Sequence, residues 1–128
     1  MNPLTLEWIE KAEGDFATAS REIRVRVRPN FDAVCFHAQQ MAEKYLKAVL
    51  QESGLQIPKT HSLADVLGMC VKLEPTYQLL QADLNILEGF AAEFRYPGLN
   101  ADKSSAKQAH QAAQAVRKFI RQRLEINQ

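Results

Sequence analysis

Polar side chains able to bind an anion recur along one apolar stretch of the sequence, CFHAQQMAEKYLKAVL, at residues 35–50. If this stretch is helical, His37, Gln40, Lys44 and Lys47 follow one another along one side of it. Lysines can lay their stems on apolar surface while their ammonium groups hold a phosphate or a carboxylate. The same spacing is also typical of a helix face that contacts only water. The stripe is therefore a candidate ligand surface or an ordinary solvated face.

A second candidate lies in the segment RYPG, where Arg95 and Tyr96 precede a proline that is expected to end a helix. The guanidinium of Arg95 can bind a phosphate, or it can interact with the last carbonyls and the dipole of the helix. We hypothesise that Arg95 and Tyr96 close a cleft that the stripe borders. The candidate ligand-binding residues are then Gln40, Lys44, Lys47, Arg95 and Tyr96.

The densest charge run is formed by Arg21, Arg24, Arg26 and Arg28. Such a run is usually solvated surface, but clustered guanidinium groups can also bind phosphate or an acidic partner. The aromatic platforms of a single-strand binder are not evident nearby, since the aromatic residues in question fall near apolar positions. These residues are Trp8, Phe16 and Tyr45.

Other reactive side chains are too scattered to predict a catalytic or metal site. The chain has three histidines and two cysteines, and both cysteines fall among apolar helical positions. His61, in the segment PKTHSL, is expected to be structural, hydrogen-bonding the loop backbone at the start of a short helix. We therefore assign no catalytic residue, no metal ligand and no cofactor.

Length and composition favour one small domain. The chain has 128 residues, which is near the commonest domain size, and we expect a single domain over 1–128 with its core at about 5–125. Sixteen basic and fifteen acidic side chains nearly cancel, so the molecule as a whole is not built to bind nucleic acid or an anionic membrane. The N-terminus lacks a signal pattern and no window suits a membrane span, which predicts a cytoplasmic protein.

Hydrophobic periodicity predicts an all-α protein, an antiparallel up-and-down four-helix bundle with an extra short helix. The alternating arginines and valines before Pro29 resemble a strand, but a lone short strand would have no partner. An alanine-rich last helix lets a neighbour approach closely, within the molecule or across a dimer. The predicted helices start at Asn2–Pro3 and fade before Pro29, then span about Phe31–Glu52, Leu63–Leu73, Tyr77–Phe94 and Ala106–Leu124.

Three motifs occur in a familiar order: FDAVCFHAQQMAEKYLKAVL, then PKTHSL before a short helix, then RYPG before the alanine-rich last helix. Together they resemble the HEPN domain, a helical family named for nucleotide binding in higher eukaryotes and prokaryotes. The resemblance runs from KAEGDFATA at residues 11–19 to the final helix. It implies a bundle that dimerises through the end of helix four and the last helix.

The resemblance also implies a set of activities. Many small prokaryotic members are encoded beside a minimal nucleotidyltransferase, the two acting as toxin and antitoxin, and some cleave RNA. Cleaving members carry an Arg followed after four to six residues by a His, and dimerisation brings two such pairs over one groove. Here Arg95 occupies the position of that arginine, but no His follows at the required gap, and the next one is His110.

We therefore expect a dimeric nucleotide- or partner-binding component of a HEPN and minimal nucleotidyltransferase system of the toxin–antitoxin type. One alternative is a metal-independent ribonuclease toxin with a non-standard active site. The other is a purely structural helical interaction protein. The absent histidine favours the first reading, because cleavage needs a group that takes and returns a proton.

Overall fold

Helices make up most of the computed structural model, which describes residues 1–126. Within that range no strand forms, and the alternating arginines and valines lie in a loop, so the all-α prediction is confirmed. The elements are α1 (Pro3–Glu22), α2 (Phe31–Glu52), α3 (Leu63–Leu73), a 3-10 segment (Pro75–Leu80), α4 (Gln81–Glu93) and α5 (Lys103–Arg123).

Local sequence signals explain where these helices begin. Four of the α-helices start directly after a residue whose side-chain oxygen accepts a hydrogen bond from a backbone N–H of the first turn. This oxygen satisfies a donor that has no partner inside the helix. The capping residues are Asn2, Asn30, Ser62 and Asp102.

The end of α2 follows from a glycine. Gly54 has φ 77°, in the left-handed region where a side chain would be strained. The N–H of Leu55 donates to the carbonyl of Leu50 at 3.1 Å, and the N–H of Gly54 donates to that of Gln51 at 3.0 Å. These two bonds form a Schellman motif, which satisfies carbonyls that the helix itself leaves open. Leu55 itself stays exposed, so the backbone bonds rather than its burial end the helix.

The core is built around α2, which contacts α1, α3, α4 and α5. Thirteen of its 22 residues are buried, as expected of a helix surrounded by neighbours. The start of α2 lies beside the start of α5, since Asp32 Oδ1 accepts a hydrogen bond from the N–H of Ala101 at 2.6 Å. Thus α2 and α5 run parallel, both antiparallel to α1 and α4. This arrangement is the predicted four-helix bundle, with α3 as the extra short helix.

The alanines of α5 pack inside the molecule. Four of them are buried, and α5 contacts α2 closely because methyl groups leave little distance between the helices. The alanine-rich face is therefore used within the bundle, which was one of the two possibilities left open by the sequence. These residues are Ala106, Ala109, Ala112 and Ala113.

The fourth long helix differs from its prediction at the start. An α-helix was expected from Tyr77, but the chain forms a 3-10 segment up to Leu80 and becomes α-helical at Gln81. In a 3-10 helix residues three apart lie directly above one another. Tyr77 and Leu80 therefore share one face, and both are buried.

Burial also explains the two cysteines, Cys35 and Cys70, which are free and buried. Burial, with a smaller effect of Asp32 and Asp102, raises the pKa of Cys35 to about 11. Burial raises the pKa of Cys70 to about 12. Both thiols therefore stay protonated at neutral pH and act as small apolar side chains. Separately, none of the helices within residues 1–126 is long and apolar enough to span a membrane.

Candidate functional site

The residues of the stripe predicted along α2 contact different parts of the protein. His37 Nδ1 lies 2.8 Å from Oδ1 of Asp15 on α1, and Lys44 Nζ donates to the other oxygen of the same carboxylate at 2.5 Å. The Asp15 side chain is only 11% exposed. An enclosed carboxylate with two such partners joins α1 to α2. Lys44 is therefore engaged inside the protein, and its role in binding a ligand stays a prediction.

Lys47 is engaged in the same way. Its Nζ donates to Glu43 Oε2 at 2.9 Å, four residues earlier on α2, and lies 5.8 Å from the centroid of the Trp8 ring. The side chain is buried, and the aromatic ring adds a cation–π contact to the ion pair. Lys47 is thus held between α1 and its own helix, and its predicted role in ligand binding is likewise untested.

Gln40 and Arg95, in contrast, line one open cleft of about 790 Å³. The first half of α2 forms one wall and the end of α4 forms the other, while the loop before α3 lies at one end. Tyr96 is exposed beside Arg95 but is not among the lining residues. The lining residues are Asn30, Asp32, Ala33, Cys35, Phe36, Gln39, Gln40, His61, Ser62, Glu88, Phe90, Ala91, Phe94 and Arg95.

Arg95 reaches this cleft because α4 ends just before it. The helix stops at Glu93, and the N–H of Phe94 makes the last helical bond, to the carbonyl of Phe90 at 3.0 Å. Arg95 is exposed, and none of residues 1–126 forms a hydrogen bond or ion pair with its guanidinium. The alternative that Arg95 binds the last carbonyls of its helix therefore finds no contact in the described part of the chain.

Aromatic rings that were not among the predicted site residues line the same cleft. The rings of Phe90 and Phe94 stack with centroids 5.8 Å apart and an angle of 24°. Phe36 is exposed on the opposite wall, off the face of α2 that Val34 and Ala38 bury in the core. That position outside the inward face of α2 was the available sequence signal. Aromatic faces of this kind can stack with a planar ligand such as a nucleobase.

Amide and carboxylate groups complete the polar surface of the cleft. Gln40 Nε2 donates to Gln39 Oε1 at 2.9 Å, and Gln39 Nε2 donates to Glu88 Oε2 at 3.4 Å. The other lining carboxylate, Asp32, accepts the N–H of Ala101. Both carboxylates thus have protein donors. The amide groups keep donor and acceptor capacity for a ligand.

His61 also lines the cleft, which was not expected. Its Nδ1 lies 3.0 Å from Glu43 Oε2, so the ring contacts a carboxylate rather than the loop backbone that the sequence suggested. The side chain is 81% exposed, whereas Glu43 is buried. A carboxylate at Nδ1 favours the tautomer with hydrogen on that nitrogen, which leaves Nε2 as an acceptor. The expected structural role of His61 stays untested.

His110, the first histidine after Arg95, lies elsewhere. Its Nε2 is 2.8 Å from Ser20 Oγ on α1, and its ring stacks on Phe16 with centroids 5.3 Å apart. Burial, followed by the positive charge of Arg24, lowers the pKa of His110 below its ordinary value. Because it packs between α5 and α1 and does not line the cleft, His110 is not placed to assist Arg95.

A polar cluster inside the bundle, which we call the Glu13 network, joins three helices. Arg117 on α5 donates to Glu13 on α1 through Nε and Nη2, both at 2.7 Å. The Tyr45 hydroxyl on α2 donates to Glu13 Oε2 at 2.5 Å and accepts a hydrogen bond from Arg121 at 3.1 Å. A carboxylate bound by a guanidinium fork and a phenol is firmly held. The cluster therefore fixes how α1, α2 and α5 meet.

Burial and these hydrogen bonds shift the pKa values of Glu13 and Tyr45. Burial acts to raise the pKa of Glu13, but hydrogen bonds from Arg117 and Tyr45, with the nearby positive charges, lower it overall. Burial, followed by the hydrogen bond to Glu13, raises the pKa of Tyr45 to about 12. Glu13 is thus ionised and Tyr45 protonated at neutral pH. No group of three potential metal-binding side chains occurs in residues 1–126.

The fold and site together define a small helical bundle with an arginine-lined cleft beside the start of its central helix. The family model for the HEPN domain matches residues 5–124, nearly the whole chain, and the protein therefore belongs to the HEPN domain family. The resemblance drawn from the sequence motifs is thereby confirmed. No significant match was found among curated proteins.

Two solved structures share the fold. TT1696 from Thermus thermophilus superimposes with a TM-score of 0.74 and 22% sequence identity, over 92% of this chain and 96% of that one. ST0689, an archaeal HEPN homologue, gives a TM-score of 0.69 and 21% identity, over 93% of this chain and 96% of that one. At this level of identity the likeness establishes a shared architecture.

Proposed function

We propose that this HEPN-domain protein is a nucleotide-binding component, dimeric and cytoplasmic, of a toxin–antitoxin-type pair with a minimal nucleotidyltransferase. The observation that carries the nucleotide-binding part is the cleft, where the Arg95 guanidinium lies at the end of two walls bearing phenylalanine rings and glutamine amides. The dimer and the partner enzyme rest on family resemblance.

Each class of cleft residue suits one part of a nucleotide. Arg95 presents a planar guanidinium, which matches the geometry of phosphate oxygens. Phe36 and Phe94 offer aromatic faces to a base. Gln40 can meet the polar edge of that base with its amide. Gln40 and Arg95 therefore remain in the proposed binding set.

The same geometry supports binding without cleavage. The loop after Arg95, residues 96–102, contains no histidine, and His110 is engaged with Ser20 and Phe16. Phosphodiester cleavage without a metal requires a group that takes a proton from the attacking hydroxyl and returns one to the leaving oxygen. In cleaving relatives a histidine follows the arginine after four to six residues, and this chain has no histidine at that spacing after Arg95.

Titrations with ATP and with an eight-nucleotide RNA, at two salt concentrations, test the proposal. We expect Arg95→Ala to weaken both ligands about tenfold or more, with less effect of salt on the variant. Lys118→Ala is the matched control, because Lys118 is an exposed cation on α5 that does not line the cleft. Equal affinity of wild type and Arg95→Ala for both ligands would exclude binding at this cleft.

The dimer has its own test. Light scattering at micromolar concentration should give about twice the chain mass of 14.5 kDa. A monomer across that range would remove the dimer from the proposal and leave the cleft unaffected.

A metal-independent ribonuclease is the second candidate, and one observation favours it. His61 lines the cleft with Arg95, and Glu43 holds its Nδ1, which leaves Nε2 available as a proton acceptor. Labelled single-stranded RNA, incubated with purified protein in EDTA, decides between the two. Cleavage that disappears in both His61→Ala and Arg95→Ala would establish the ribonuclease. An uncut substrate under conditions where binding is saturated would exclude it.

A further inference from the structure

The loop between α1 and α2 carries unusual charge for a protein whose net charge is +1. Arg24, Arg26 and Arg28 are all exposed, with Arg21 just before them at the end of α1. No hydrogen bond or ion pair joins the guanidinium of Arg24, Arg26 or Arg28 to any residue of the described chain, 1–126. These three cations, on the segment that we call the arginine loop (residues 24–28), are thus exposed and form no ion pair within the described chain.

The arginine loop is held at both ends rather than hanging free. Glu22 Oε2 accepts a hydrogen bond from the backbone N–H of Asn30 at 3.1 Å, which closes the loop. Glu22 is therefore committed to the backbone. Arg28 has φ 54°, in the left-handed region, directly before Pro29. A residue held there is strained by about 1 kcal/mol or more, which requires support from its surroundings.

The arginine loop lies at the same end of the bundle as Arg95. Asp32, just after the loop, binds the N–H of Ala101 in the segment that follows Arg95. A groove of about 270 Å³ between the two segments is lined by Pro29, Asn30, Phe31, Asp32, Asn100 and Ala101. Asn30 and Asp32 line the Arg95 cleft as well. Cleft, groove and arginine loop are therefore contiguous along one end of the molecule.

We propose that the ligand of this site is a single-stranded nucleic acid several nucleotides long, and that the arginine loop binds its backbone phosphates beyond the cleft. This inference rests on the proposed function, since it places the first nucleotide at Arg95. Guanidinium groups suit phosphates that repeat along a strand, whereas one mononucleotide would use only the cleft.

The side chains of the arginine loop also indicate which part of the nucleic acid it would contact. Val27, the apolar residue between two of its arginines, is 78% exposed, and the loop has no aromatic ring. Because the loop offers no aromatic platform, we expect it to contact mainly the phosphate backbone, which carries no sequence information. The exposed ring of Phe36 lies in the cleft, whereas Phe31 in the groove is partly buried against Ala19, Val34 and Ala106. We therefore expect any base preference to concern only the nucleotide in the cleft.

A length series tests the inference. Two proteins are compared, the wild type and the triple variant Arg24→Gln, Arg26→Gln, Arg28→Gln. Each is titrated with AMP and with oligoadenylates of two, four, eight and twelve nucleotides. We expect equal affinity for AMP and about tenfold or more weaker binding of the twelve-mer by the variant. If three phosphate contacts are lost, the slope of log affinity against log salt becomes shallower by about 2.

A second triple variant, Lys11→Gln, Lys72→Gln, Lys118→Gln, is the matched control. It removes the same charge from exposed positions outside this end of the bundle. An equal loss of twelve-mer affinity in both triple variants would reduce the effect to overall charge and overturn the inference. So would an unchanged affinity of the arginine-loop variant.

Two further results separate failure of the proposed function from failure of the assignment to nucleic acid. If Arg95→Ala leaves AMP and RNA binding unchanged, the proposed function fails, whatever the arginine loop does. If polyglutamate of matched length competes with the twelve-mer at equal concentration, the loop binds acidic protein as well as RNA, and the assignment to nucleic acid is overturned. Circular dichroism of all variants at the titration temperature ensures that only folded protein is compared.

Discussion

Two charged regions of the molecule use the same side chains in opposite ways. In the Glu13 network, guanidinium groups from α5 donate to a carboxylate from α1 and to a phenol from α2 at distances of 2.7 to 3.1 Å. At the end of the bundle where α1 is followed by the arginine loop, Arg95 and the arginines of that loop are exposed. The first arrangement uses its charge to join helices. The second leaves charge available to a partner outside the chain.

This contrast separates stability from binding. Removing a partner from the Glu13 network leaves polar groups with poorer contacts inside the bundle, which lowers the free energy of unfolding. Removing Arg95 takes away an exposed cation and leaves the interior unchanged. Residues of the two regions should therefore differ in which measurement responds to mutation.

The largest effect is expected from Glu13→Ala. The change removes the carboxylate that binds Tyr45 and Arg117, and we expect a loss of about 2–3 kcal/mol in the free energy of unfolding, less than for a fully buried pair because Glu13 is 31% exposed. Urea unfolding measures it, with exposed Glu10→Ala on the same helix as control. Similar losses in both variants would contradict a stabilising Glu13 network.

The lowered pKa of Glu13 adds a pH dependence with a definite sign. Because its pKa is lower in the folded than in the unfolded chain, its contribution to stability is present above the unfolded value of about 4.3 and is lost as pH falls through the folded value. Glu13→Gln should therefore flatten the loss of stability below about pH 4. If Glu13→Gln loses stability below about pH 4 as steeply as wild type does, Glu13 does not form the hydrogen bonds described above.

A smaller effect, about 1 kcal/mol, is expected from Lys44→Met. This change keeps the apolar stem and removes the ammonium that binds Asp15, an enclosed carboxylate that then has only His37. We expect lower stability, and a titration with ATP tests the predicted role of Lys44 in ligand binding. Lost affinity with intact stability would place Lys44 in the binding site, as the sequence analysis had suggested.

His110 should show a slighter effect, through its lowered pKa. Since the pKa is lower in the folded chain, stability is greatest above the unfolded value of about 6.5 and falls as pH decreases toward the folded value. Arg24→Gln should raise the pKa of His110 part of the way to its ordinary value, because burial remains. Proton NMR of the ring follows this titration, and an unchanged pKa would mean that Arg24 is not near His110.

The smallest change in stability is expected from Arg95→Ala, within about 0.5 kcal/mol of wild type, because the side chain is exposed. The same variant should show the largest loss of ligand affinity. Thermal unfolding without ligand provides the first measurement and the titration of ATP the second. If Arg95→Ala lowered the free energy of unfolding of the unliganded protein by several kcal/mol, Arg95 would stabilise the fold as the Glu13 network does, and the two regions would not differ.

Much of the fold could be predicted because its signals are local. Asn2, Ser62 and Gly54 mark helix ends through bonds to residues within a few positions. The start of the fourth long helix was wrong by several residues because a 3-10 turn and an α-helix both keep residues three apart on nearly one face. Periodicity alone does not separate them.

Less of the site could be predicted because it depends on which helices meet. The cleft is lined by Gln40 and Arg95, and also by His61, whose contact with Glu43 depends on the path of the loop before α3. Helical spacing placed Lys44 beside Gln40 without revealing that Asp15, far earlier in the chain, would bind it. Spacing defines a face, whereas the neighbour of that face comes from packing.

Chemical-shift mapping of the protein labelled with nitrogen-15 tests the central claim most directly. As a short oligoadenylate is added, we expect the largest amide shifts along the two walls of the cleft, at Gln39, Gln40, Ser62, Phe94 and Arg95, and these shifts should disappear in Arg95→Ala. Shifts confined to the helix surfaces away from the cleft, or shifts that persist unchanged in Arg95→Ala, would show that the cleft is not where this protein binds nucleotides.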